Sequence, residues 1–356
     1  MSSPRQNRFR RHRGKVLAAL LTVGLVGVDL ALGTLREALF TRRVRQANDH
    51  VFRTKDRELH HAFVPGASVP DARWGSLTFP FHVNSLGFRD TAPREVAPVT
   101  SGRRVVFLGD SFTEGLGVRA EDTFVGRIAE AAGAHGVEVL NAGCSSYAPS
   151  IYLASARRML TRGLRFERLV VCIDISDIDD EAHYYATNPE GRVVRPKREG
   201  LARLGNWLRK HSLVYQVAAF GWSGSPPQVG QARGRWTIDE ALLEAWGRAG
   251  LAQATARMTD LAALLREHGV ALTVVVYPWP DQIVARDLDS LQVRHWRAWA
   301  EEHGARFVDL FGEFITDEPA EAVLAECFIP GDVHWNEAGH ARIARGFLAA
   351  HPLDTP

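Results

Sequence analysis

Three residues near opposite ends of the chain have the types that acyl-transfer chemistry needs. Ser111 ends the run Val105-Val106-Phe107-Leu108-Gly109-Asp110-Ser111 and opens Phe112-Thr113-Glu114-Gly115. A hydroxyl is a weak nucleophile unless a base takes its proton, and the base works best when a third group orients it. The segment Gly331-Asp332-Val333-His334-Trp335 supplies both: His334 is the candidate base and Asp332, two residues before it, the candidate orienter. Singly, each has an ordinary explanation. Asp110 and Ser111 can end a strand and cap a helix, and His334 can be a loop histidine. Together they favour a site.

The elements that must position them follow from hydrophobic pattern. The β-branched and aromatic run to Leu108 reads as a buried strand. A serine just past the carboxyl end of a parallel strand lies at the sheet rim, where open α/β sheets bind ligands. Further strand patterns run over 137–141, 168–174, 271–277 and 305–309, with helical patterns over 152–161, 238–268 and 291–302. Such alternation predicts a parallel sheet with helices on both faces.

The two ends resemble the first and last blocks of the SGNH (GDSL-like) hydrolase superfamily, over roughly residues 103 to 350. Gly-Asp-Ser-Phe-Thr-Glu-Gly matches the first block, and the Asp332/His334 pair before a final helix matches the last. The resemblance implies a three-layer α/β/α sandwich with a five-stranded parallel sheet, flavodoxin-like, acting as a serine esterase without cofactor or metal. It also implies an oxyanion hole from the backbone of Ser111, from Gly143 in Asn141-Ala142-Gly143, and from a third-block asparagine. Two departures stand out. The acid is usually three residues before the histidine, a position held here by Gly331, so the pattern is Asp-x-His or a Ser-His dyad. Where Gly-x-Asn-Asp is expected the chain has Asp174-Ile175-Ser176-Asp177, which puts Ser176 in the asparagine's place. Asp-Val-His-Trp looks like the Asp-x-His-Trp block of proteins that handle O-acetyl groups on envelope polysaccharides, alginate acetylation proteins among them.

Composition bounds the rest. Among 356 residues, 46% are hydrophobic and 24% charged, ordinary for a globular chain. A net charge of +2 with scattered arginines gives no footprint for nucleic acid. Cys144, Cys172 and Cys327 are too few and too spread for a zinc site and read as small buried side chains. Asp174, Asp177, Asp179, Asp180 and Glu181 match no calcium loop and read as a solvated loop, and His60-His61 as solvated. Tyr147 and Trp335, each following a block, are candidates for stacking a sugar ring, with core packing as the competing account.

The amino terminus carries a different signal. A basic tail (residues 1–15) precedes an apolar run from Val16 to Gly33 whose one costly residue is Asp29. It reads as a transmembrane anchor over 16–35 with the bulk of the chain extracytoplasmic. A cleaved signal peptide ending near Ala31-Leu32-Gly33 is the competing reading. Residues 36–100 read as a juxtamembrane lead-in broken by Pro65, Pro70, Pro80 and Pro93, with Val83-Asn84-Ser85-Leu86-Gly87-Phe88-Arg89-Asp90 a structural turn. The esterase domain is placed at 101–352. An insert at about 184–236 fits a lid, a surface for an acidic polymer, a membrane-facing helix, or an excursion without a role. The function expected is O-acyl, chiefly O-acetyl, ester cleavage on carbohydrate. An O-acetyltransferase acting on an envelope polysaccharide and a non-catalytic sugar-binding relic are the alternatives.

Overall fold

The apolar run before Ser111 is a strand near the middle of an eight-stranded sheet. The computed structural model describes residues 12–44, 49–194, 201–220 and 228–351. The sheet strands, in chain order, are β1 (Ser68–Trp74), β2 (Leu77–Val83), β3 (Arg89–Asp90), β4 (Arg103–Leu108), β5 (Val137–Asn141), β6 (Arg168–Ile173), β7 (Ala271–Val276) and β8 (Arg306–Asp309). They lie side by side in the order β8-β7-β6-β4-β5-β3-β2-β1. The five from β4 onward pair in parallel. Val105, Val106, Phe107 and Leu108 are all buried, so both faces of β4 are covered. Helix Phe124–Gly133 packs on Glu337–Ala350, and Pro149–Thr161 packs with Asp177–His183 on Arg248–Glu267.

The five parallel strands are extended by three antiparallel ones from the stretch read as a lead-in. The prolines there do not break the sheet. Val69 pairs with Phe81 and Ala72 with Phe79, so Pro70 and Pro80 fall at a register shift, where a missing N–H is tolerated. Phe79, Phe81 and Val83 alternate inward with period two. The lead-in is therefore part of the sheet.

The chain divides into two units, residues 46–196 with 227–356, and residues 1–45 with 197–226. The second unit holds helix Arg13–Val44 and, from the insert, helices Leu201–His211 and Leu213–Phe220. Helix Arg13–Val44 contains one stretch, Arg13–Leu39, long and apolar enough to cross a membrane. Most of the basic tail, and Arg195, Lys197, Arg198 and residues 221–227 of the insert, lie outside the described residues. Other parts of the insert stay with the sheet unit. Trp236 is fully buried there, and its indole N–H donates to the Ile175 carbonyl at 2.9 Å.

Candidate active site

Strand β4 delivers Ser111 to the sheet rim, and the turn into helix Ser111–Glu114 is capped by Asp110, whose carboxylate accepts the Phe112 N–H at 2.9 Å. Two glycines let this turn sit on the strand ends. A Cβ on Gly109 would lie 2.1 Å from Thr113 Oγ1, and one on Gly143 would lie 2.7 Å from Thr113 Cβ. Neither position can carry a side chain without moving the Ser111 turn.

His334 arrives from the far end of the chain. Residues Phe328 and Trp335 form a bridge, and the Ile329 N–H donates to the His334 carbonyl at 2.9 Å, closing a tight loop around Gly331 at φ +74°. In that loop Asp332 Oδ1 lies 2.6 Å from His334 Nδ1 and accepts the His334 backbone N–H at 3.1 Å. The other ring nitrogen, Nε2, is 2.8 Å from Ser111 Oγ. The two-residue spacing thus works because one carboxylate oxygen binds both the backbone and the ring of the same residue. Ser111 Oγ is also 3.2 Å from Asp110, a longer contact than the one to His334.

Trp74, at the end of β1, escaped the sequence reading. Its indole N–H donates to Asp332 Oδ2 at 2.7 Å and its ring meets His334 edge-on at 5.4 Å. A tryptophan in a hairpin carries no motif, so only the added strands reveal it. Burial works to raise the pKa of Asp332. The His334 ring and N–H and the Trp74 indole outweigh it and hold the carboxyl at about 2.

The lead-in also braces the loop after Ser111. The buried Arg89 guanidinium donates to the carbonyls of Glu114, Gly115 and Val118. Arg53 pairs with the buried Glu114 at 2.8 Å, and Glu114 accepts the Ser145 N–H and hydroxyl at 2.6 and 2.7 Å.

The expected oxyanion donors are arranged differently. The Gly143 N–H donates to Asn141 Oδ1 at 3.0 Å, so serving a substrate oxygen means giving up that bond. Ser176 is buried, its N–H donating to Asp174 Oδ1 at 2.7 Å and its hydroxyl bonding the same carboxylate. The N–H of Ser111, in the first turn of its helix, has no intrahelical acceptor. Ser176→Ala is therefore expected to leave kcat unchanged and to lower stability by about 1–3 kcal/mol. Turnover of a soluble ester and the melting temperature check this; a loss of ~10²-fold in kcat would put Ser176 back in the hole.

Tyr147 and Trp335 cannot stack a sugar, because they are 3% and 0% exposed. The Tyr147 hydroxyl donates to the His61 carbonyl at 3.0 Å. Trp335 packs against Phe112 at 4.6 Å and Tyr277 at 4.7 Å, seating the His334 loop. His61 is likewise more enclosed than expected. Burial lowers its pKa to about 4, and its Nε2 is 2.7 Å from the Ser145 carbonyl. No disulfide joins the three buried cysteines.

The acidic run is the largest departure from expectation. Asp174, Asp177, Asp180 and Glu181 are buried, not solvated. Each finds donors on other elements. Trp279 donates to Asp174 at 2.6 Å, Tyr152 to Asp177 at 2.8 Å, Arg233 to Asp180 at 3.2 Å, and the Ser150 N–H to Glu181 at 2.6 Å. Carboxylate oxygens of Asp110, Asp174 and Asp177 lie within 4.8 Å of one another, which could hold a cation or shared protons. Burial, then mutual repulsion, raises Asp110 and Asp177, burial raises Asp174, and burial raises Asp180 to about 7.

An acid whose folded pKa lies above its unfolded value keeps a proton that the unfolded chain has released. Its contribution to stability therefore falls as pH rises from about 4 towards the folded pKa. Asp177→Asn removes that loss. The melting temperature of Asp177→Asn minus that of the parent is expected to grow as pH rises above the ordinary carboxylate range, about 4. A difference independent of pH would show that Asp177 is ionised in the fold.

Comparison with known proteins places this architecture. The GDSL-like lipase/acylhydrolase family matches over residues 107–342. Among solved structures, a catalytic mutant of Axe2, an acetylxylan esterase from Geobacillus stearothermophilus, is 17% identical, covering 71% of this chain and 96% of its own, with a TM-score of 0.42. A putative lipolytic protein of the G-D-S-L family from Desulfitobacterium hafniense is 12% identical, covering 70% and 99%, with a TM-score of 0.39. No curated protein matches. With the family match spanning most of the sheet unit and both ends of the Ser111–His334 pair, the chain belongs to the GDSL-like lipase/acylhydrolase family and is a hydrolase of ester bonds.

Proposed function

We propose that Ser111 is the nucleophile, His334 the general base and Asp332 its orienter, in an esterase that removes O-acyl groups, chiefly acetyl, from carbohydrate. The observation that carries this reading is the hydrogen-bonded chain Asp332–His334–Ser111, at 2.6 and 2.8 Å, on the sheet rim. His334 Nε2 takes the hydroxyl proton as Oγ attacks the acyl carbon. Asp332 fixes the tautomer by accepting from Nδ1 and stabilises the imidazolium. The Ser111 N–H faces the developing oxyanion. His334 then returns the proton to the departing sugar oxygen, and water repeats the sequence on the acyl-enzyme.

The carbohydrate and acetyl assignments draw on the Asp-Val-His-Trp block, and its likeness to acetylation proteins supports transfer to a sugar hydroxyl as the second reading. The anchor reading draws on the apolar stretch of helix Arg13–Val44 and the basic residues before it, and puts the esterase unit outside the cytoplasm. Full-length protein is incubated with an acetylated sugar, with and without a glycan acceptor. Acetate release is expected. Acetyl appearing on the acceptor supports the transferase, and neither product sinks both readings.

A further inference from the structure

Asp29 is the polar residue that a spanning helix should not carry. Its Oδ1 accepts the Val214 N–H at 2.8 Å, at the start of helix Leu213–Phe220. Three further polar contacts join the N-terminal helix to the two insert helices. Gln216 donates to the Gly33 carbonyl at 3.0 Å, Arg36 donates to Gln216 at 3.2 Å, and Thr34 Oγ1 is 3.0 Å from His211 Nδ1. A Cβ on Gly33 would lie 2.3 Å from the His211 carbonyl oxygen, so only glycine lets the backbones approach this closely. Small residues at the crossing and side-chain hydrogen bonds between helices are how helices associate in lipid.

The outward surface of the pair of insert helices is apolar. Leu204, Trp207, Val214 and Tyr215 are 51%, 46%, 71% and 38% exposed. On the N-terminal helix, which these helices contact, Leu25, Val28, Leu32 and Leu35 are exposed too. Arg209 and Lys210 are exposed beside them, long enough to reach phosphates while their stems lie on apolar surface. A tryptophan, a tyrosine and basic residues around an aliphatic face make up the composition of an interfacial helix.

We propose that residues 201–220 are a second membrane-seated element, docked on the N-terminal helix through Asp29 and Gly33 and resting in the headgroup–acyl boundary of the bilayer that helix crosses. The occupant of the exposed apolar face is lipid. The proposal rests on the anchor reading above and adds that the insert shares the bilayer.

The test uses the full chain in vesicles of phosphatidylethanolamine and phosphatidylglycerol. An environment-sensitive fluorophore is attached at Leu204→Cys or Val214→Cys, with Leu25→Cys as the span control and Leu288→Cys as the water control; the unsubstituted chain reports any labelling of native cysteines. The expected result is a blue-shifted emission at 204 and 214 and a loss with nitroxide-bearing acyl chains matching that at 25. Quenching at 204 and 214 by aqueous iodide, as at 288, with lipid quenching only at 25, overturns the proposal and leaves the anchor standing. Iodide quenching at 25 as well overturns both. Protection of 204 and 214 from both quenchers means that protein covers them, and also overturns it. Asp29→Leu should shift the Val214→Cys emission towards the red as the docking contact is lost.

Discussion

Alanine at position 111 is expected to cut ester turnover by a factor on the order of 10⁵–10⁶, the scale set by removing a nucleophile from a concerted site. The fold should be indifferent to the change. Ser111 is half-buried, and its hydroxyl faces His334 without holding a core contact. Asp110 still caps the helix, and Gly109 and Gly143 still seat the turn. The measurement is kcat on a soluble acetyl ester beside the melting temperature. Turnover near that of the parent with an unchanged melting temperature would remove Ser111 from the chemistry.

Asp332→Asn is the second large effect. The asparagine keeps the size but presents an amide to His334 Nδ1 in place of a charge, which favours the wrong tautomer; the expected loss in kcat is about 10⁴. Because Asp332 titrates at about 2, acid loss of activity above pH 4 is not its protonation. Trp74→Phe provides the graded comparison. It removes one hydrogen bond to a charged acceptor, worth about 1.5–3 kcal/mol, so kcat should fall roughly tenfold to a hundredfold. Equal and mild effects of both changes would indicate a Ser111–His334 dyad.

The two ends of this site were legible because each is written locally. A strand that stops at Gly-Asp-Ser and an acid two residues before a histidine need no distant information. Trp74 was not legible, since its partner Asp332 lies 258 positions away. The acidic run misled for a related reason. Five acids within eight residues suggest solvent when their donors, Tyr152, Arg233 and Trp279, sit on other segments. Burial of charge is decided by partners, and pattern alone does not name them. The parallel strands were readable because strands buried on both faces are continuously apolar. The antiparallel extension was hidden by prolines that occupy a register shift.

Arg89 carries a consequence for anyone trimming this protein. A fragment beginning at the first parallel strand looks like a whole esterase by family match, yet it would lack the guanidinium that gathers the carbonyls of Glu114, Gly115 and Val118. It would also leave Glu114 enclosed without Arg53 and would bare the edge of β5, an invitation to pair with other chains. A truncation that spares these braces keeps Arg53, Arg89 and strands β1 to β3 with the parallel strands. The boundary of the working unit lies some fifty residues ahead of the boundary of its recognisable motif.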